Sequence, residues 1–114
     1  MLSDADKRLL LATARLSLEV TLGTRPPAEL DTLDVVGEPG GAFVTIWRLE
    51  GAERHLRGCI GKIIAEEALS KTVVKMTAEA ATKDPRFPPV TADELPELLI
   101  EVSVLSVPEP AVPE

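Results

Sequence analysis

The chain has no tyrosine, asparagine or glutamine, one cysteine (Cys59), one histidine (His55) and three aromatic residues, Phe43, Trp47 and Phe87. Without those three residue types it has neither a phenol to act as an acid nor a side-chain amide to read base edges. A lone cysteine forms no disulfide within the chain, which agrees with a reducing compartment, and one Cys with one His makes no cysteine-rich zinc site. No cofactor motif is visible, so neither a metal nor a cofactor is expected. Apolar runs stay far below the ~20 residues of a membrane span, and residues 1–22 lack the order of a signal peptide. A cytoplasmic location is therefore expected.

Basic residues are also scarce, 12 Lys and Arg against 19 Asp and Glu, a net charge of -7. Binding to nucleic acid or to acidic membranes relies on neutralising phosphates, so both are disfavoured. With 114 residues, the chain fits one domain around one core, and that core must be aliphatic.

Ser3 and Asp6 form a capping box, and Leu9, Ala12, Leu16 and Val20 recur at helical spacing up to Gly23, which predicts a first helix over about 4–22. Residues 23–41 hold three prolines and four glycines and read as a long connection with one extended piece near 33–36. The apolar, β-branched run 42–49, a turn at 50–53 and a returning strand at 54–61 predict a hairpin. A second helix is expected over about 66–82, with Leu69, Val73, Met76 and Ala80 on its apolar face and Glu67–Lys71 and Glu79–Lys83 as i,i+4 pairs; Asp84-Pro85 ends it. Thr91 and Glu94 make another capping box over a short turn. The last strand, 98–107, sets Leu98, Ile100, Val102 and Val104 on one face. The result is an α+β domain of order α-β-β-α-β, occupying about 1–110, with 111–114 as a tail.

Leu56-Arg57-Gly58-Cys59-Ile60-Gly61 carries the chemistry worth testing. Glycines inside a strand signal a close approach at Gly58 and Gly61, either by a packed element or by a ligand. Cys59 is either a small buried hydrophobe or a thiolate nucleophile; in the second case Arg57, two residues away and so on the same strand face, is the stabilising cation. His55 is about 13 Å away along an extended strand, too far to serve as base. Arg48, Arg54, Arg57 and Lys62 make the hairpin locally positive, which suits either an anionic ligand or a solvated surface of mixed charge. In 83–89, prolines flank Phe87, which is expected to pin the loop to the core, while Asp84 and Arg86 could face a site built with the hairpin.

The segment LRGCIG at 56–61, followed by DPRFPPVTADEL at 84–95 and IEVSVLS at 100–106, resembles the AMMECR-one domain, and the likeness extends over nearly the whole chain. The resemblance implies a mixed α/β fold with LRGCIG as hallmark, and a family domain that usually continues past Pro110, so that this chain corresponds to an N-terminal portion or a shortened member. It implies no settled activity. It does suggest a pathway shared with Memo-like and radical-SAM proteins.

Two functional readings follow. In one the chain is an accessory, partner-binding domain whose partner is a Memo-like protein or a second copy, with Gly58, Ile60, Gly61, Asp84 and Arg86 as binding residues. In the other it is an enzyme or enzyme subunit using Cys59 as thiolate with Arg57, and the Gly-rich strand receives an anion.

Overall fold

The computed structural model describes residues 2–105. Helix α1 (Asp4–Thr21) opens on the expected capping box: the Asp6 amide donates to Ser3 Oγ at 3.0 Å and the Ser3 amide to Asp6 Oδ2 at 3.2 Å. It ends at Thr21 with Leu22 as C-cap, and Gly23 follows with a φ of 81°, which glycine adopts without strain. A 3₁₀ helix, η1 (Pro27–Thr32), follows. Strands β1 (Gly41–Glu50) and β2 (Glu53–Lys62) form the hairpin, then come α2 (Leu69–Thr82), a second 3₁₀ helix η2 (Ala92–Glu97) and β3 (Leu98–Leu105). The strands make one antiparallel sheet of order β2-β1-β3, with β1 in the middle. The α+β class and the element order are as expected, and residues 106–107 of the expected last strand and the tail fall outside the described residues.

Side chains on alternate positions of β1 explain the layering. Ala42, Val44 and Ile46 are fully buried and meet Leu10, Ala14 and Leu18 of α1 and Leu69, Val73, Met76 and Ala80 of α2. Both helices therefore cover one face of the sheet, α2 over β1 and β2 and α1 beside β3. The opposite face, with Phe43, Thr45 and Trp47, has no helix over it among the described residues. No helix there is long and apolar enough to cross a membrane.

Two local expectations are corrected. The buried stripe of α1 is Leu10, Thr13, Ala14, Ser17 and Leu18, rotated one position from the apolar set Leu9, Ala12, Leu16 and Val20. Hydroxyls permit this: Thr13 Oγ1 donates to the Leu9 carbonyl and Ser17 Oγ to the Val74 carbonyl, each at 2.8 Å, so two polar residues sit inside at little cost. Helix α2 begins at Leu69 rather than 66, because carbonyls of the preceding connection cap it; the amides of Leu69 and Ser70 donate to Glu38 and Val36. Glu67 consequently lies before the helix and pairs with Lys75 at 2.6 Å instead of Lys71, and Glu79–Lys83 is not among the ion pairs of the described residues. The connection also contains η1 at 27–32, which the sequence pattern did not single out; Leu33 after it is extended, and 33–36 belong to no helix or strand.

Candidate functional site

Strand β2 contains one extra residue. Trp47 stands opposite Leu56 and Ile46 opposite Gly58, so Arg57 is a β-bulge without a partner on β1. The strict alternation that would put Arg57 and Cys59 on one face is broken there. The Arg57 guanidinium instead reaches Glu94 of η2, Nε to Oε1 at 2.8 Å and Nη2 to Oε2 at 3.1 Å, and donates to the carbonyls of Pro88 and Pro89 at 2.7 and 3.2 Å. Arg48 joins the same carboxylate at 3.3 Å, and the Thr91 amide donates to it at 2.8 Å. Glu94 is buried, and Arg57 above all, helped by Thr91, holds its carboxyl below the usual range. The capping box at Thr91 was legible in sequence, but the tertiary role of Glu94 and Arg48 was not.

Cys59 stands opposite Thr45, on the face away from the helices. Its Sγ lies 3.2 Å from Thr45 Oγ1, and the residue is partly exposed. Its amide points outward from the edge of the sheet and donates to Asp84 Oδ2 at 3.0 Å. Asp84 in turn accepts from Arg86, from Nη2 at 2.7 Å, Nε at 3.0 Å and the amide at 3.1 Å, while Arg86 Nη2 lies 3.5 Å from the Cys59 carbonyl. Asp84 and Arg86 thus occupy the place of a neighbouring strand and blunt the edge of β2. Asp84 is 5% exposed, and the Arg86 fork followed by the Cys59 amide holds its carboxyl far below the usual range. Arg86 is pushed up, chiefly by Asp84 and to a smaller extent by Cys59.

The close approaches at the two glycines are made by the protein itself. A Cβ at Gly58 would run into the backbone carbonyl of Ala80 on α2, and one at Gly61 into the Phe43 ring. Between them Ile60 packs against both core clusters. Phe87 is only half-buried and belongs to neither cluster; Val90, whose amide donates to the Ala81 carbonyl, is what anchors that loop. His55 is exposed near the turn, 3.5 Å from Glu50 and 3.7 Å from Glu53. The four cations of the hairpin each lie within 4.0 Å of a carboxylate: Arg48 and Arg57 near Glu94, Arg54 near Glu101, Lys62 near Glu66. The surface is of mixed charge.

Beside Cys59 the uncovered face carries apolar side chains. Leu49, two residues along β1 from Trp47, is 42% exposed, and Leu99, directly opposite Trp47 on β3, is 44% exposed. The Arg54 guanidinium lies 4.3 Å above the Trp47 ring, whose Nε1 donates to Glu101 at 3.3 Å. An apolar patch rimmed by charge is the usual anatomy of a docking surface. For chemistry at the thiol, the neighbours are a hydroxyl and, through the backbone, the Asp84–Arg86 pair. Among the described residues, no hydrogen bond joins Cys59 Sγ to a carboxylate or an imidazole.

The AMMECR1 family model matches residues 11–114. A protein of Methanosarcina acetivorans is 38% identical over 114 residues, which covers 96% of this chain and 55% of the relative. A protein of Aeropyrum pernix is 38% identical over 109 residues, 96% of this chain and 47% of the relative. Among solved structures, the uncharacterized protein PH0010 from Pyrococcus horikoshii is similar with a TM-score of 0.70 and 38% identity, over 85% of this chain and 49% of that one. The chain spans about half the length of the relatives it matches.

Proposed function

Because the chain belongs to the AMMECR1 family, we propose that it is an accessory, partner-binding domain that docks through the uncovered face of its sheet. The partner is a Memo-like protein, in a cytoplasmic pathway shared with radical-SAM proteins. The observation that carries this reading is that the hallmark segment is spent on the fold. Arg57 ties the bulge to Glu94. Gly58 admits α2. Ile60 fills the core, and the Cys59 amide is held by Asp84. Leu49 and Leu99, by contrast, expose apolar surface that the described residues leave uncovered. Calorimetric titration with a Memo-like protein from the same organism tests this. Binding should survive Cys59→Ser and fall at least tenfold with Leu99→Asp, whose charge would be desolvated in the interface. Equal affinity for Leu99→Asp and the parent chain would defeat the proposal.

A second reading keeps Cys59 as a catalytic thiolate, and one observation favours it: the thiol is partly exposed on that same face, beside the Asp84–Arg86 pair. In this reading Arg86 at the same edge, rather than Arg57 on Glu94, is the cation that sets reactivity. Alkylation of Cys59 should then slow with Arg86→Ala and stay unchanged with Arg57→Ala. A rate that is indifferent to Arg86 leaves the thiolate reading without support.

A further inference from the structure

On the helical side of the molecule, η1, packed on α1, and the connection after it, tied to α2 through Val36 and Glu38, line a groove of about 270 Å³. Leu33, Val35 and Val74 line it, and both hydroxyls on its wall are engaged: Thr13 Oγ1 donates to the Leu9 carbonyl and Ser70 Oγ accepts from the Val36 amide. One rim is acidic, with Asp31 and Asp34, and the other carries Lys71. None of these three charges has an ion-pair partner among the described residues. The volume falls below the ~300–1,000 Å³ of small-molecule sites, so it suits side chains of a protein segment rather than an enclosed ligand.

The chain carries a segment with the matching pattern. In Lys62-Ile63-Ile64-Ala65-Glu66, Ile63 and Ile64 are 74% and 63% exposed, among the most exposed large apolar residues of the protein. A basic and an acidic residue flank them, Lys62 and Glu66, opposite in sign to Asp31 and Asp34 on one rim and to Lys71 on the other. The base of the segment is held in place: a Cβ at Gly41 would strike the carbonyls of Lys62 and Ile63, and the Glu66 amide donates to the Ile64 carbonyl at 3.1 Å. A projection tethered by these contacts has less conformational entropy to lose on docking than a free segment would. In the single chain Lys62 and Glu66 pair with each other at 3.3 Å, a surface ion pair that is weak and cheap to exchange.

We propose that the Ile63–Ile64 projection of one copy seats in the η1/α2 groove of a second copy. The two patches differ, so the contact is head-to-tail and makes rings or short chains instead of a closed two-fold dimer. It lies away from the uncovered sheet face and does not depend on the docking proposed there.

Sedimentation velocity of the full chain over a concentration series tests this, with one variant on each side of the contact. Ile64→Glu and Val35→Asp both alter exposed side chains, so each should fold as the parent does, which circular dichroism checks. The parent chain should gain mass with concentration, and each variant alone should sediment as the 12.2 kDa monomer. An equimolar mixture of the two retains one intact projection and one intact groove, and should form a dimer and nothing larger. A parent chain that is monomeric at every concentration overturns the proposal. So does association that both variants leave intact, which would place the contact elsewhere, such as the sheet face, or a mixture that stays monomeric.

Discussion

Replacing Arg57 by alanine tests whether this arginine holds the fold or serves the thiol. The substitution removes two charge-assisted bonds to Glu94, at 2.8 and 3.1 Å, and two bonds to the carbonyls of Pro88 and Pro89. The side chains of Arg57 and Glu94 are only 13% and 11% exposed. Breaking a fully buried ion pair costs about 3–5 kcal/mol. Glu94 would keep Arg48 and the Thr91 amide, and some water reaches it, so the expected loss is about 2–3 kcal/mol. Against a total stability of about 5–15 kcal/mol that is a large share. At about 4–8 °C per kcal/mol for a domain of this size, the melting temperature should fall by about 8–24 °C. Urea denaturation followed by the fluorescence of Trp47, the single tryptophan, measures the loss directly. Arg57→Lys should lie between, because an ammonium keeps the charge and loses the two-pronged geometry. A loss below about 0.5 kcal/mol, typical of surface positions, would refute the assignment of Arg57 to the fold.

Gly58→Ala should cost about 2–3 kcal/mol in the same assay, since the new methyl meets a backbone carbonyl of α2 that cannot step aside. Gly61→Ala should cost less, because the whole Phe43 side chain, only partly buried on the uncovered face, can swing aside, whereas the α2 backbone cannot; equal losses at the two sites would contradict the packing described. Asp84 and Glu94 both have carboxyls depressed below their unfolded values of about 3.9 and 4.3, so each adds stability that is fully present above those values and is lost as pH falls through the folded ones. Stability should therefore decline below about pH 4, and Asp84→Asn should flatten that decline while lowering stability at pH 7. An acid limb unchanged by Asp84→Asn would exclude Asp84 as its source.

Local rules carried the fold far. Capping boxes at Ser3 and Thr91, the turn at Gly51 and the apolar face Leu69, Val73, Met76 and Ala80 are signals confined to a few residues, and each marks the element it belongs to. The site was less legible because it depends on register. Nothing in the spacing of Arg57 and Cys59 reveals that an extra residue between Ile46 and Trp47's partners turns Arg57 toward Glu94, 37 residues later. Asp84 was visible as a helix breaker and a possible member of a hairpin site. Its grip on the Cys59 amide follows from the way α2 returns the chain to the edge of β2. The rotation of the α1 stripe was hidden because Thr13 and Ser17 count as polar in any periodicity, yet each satisfies its hydroxyl on a helical carbonyl.

Cys59 is the single cysteine and lies on the sheet face proposed to dock the partner, so it is a built-in footprint of that face. The most direct test of the central claim is the alkylation rate of Cys59, read by mass spectrometry of its peptide, with and without a saturating Memo-like protein. Docking across the face should bury the thiol and slow its modification at least tenfold. Modification at the same rate in the bound and free chain would show that the uncovered face is not the docking surface.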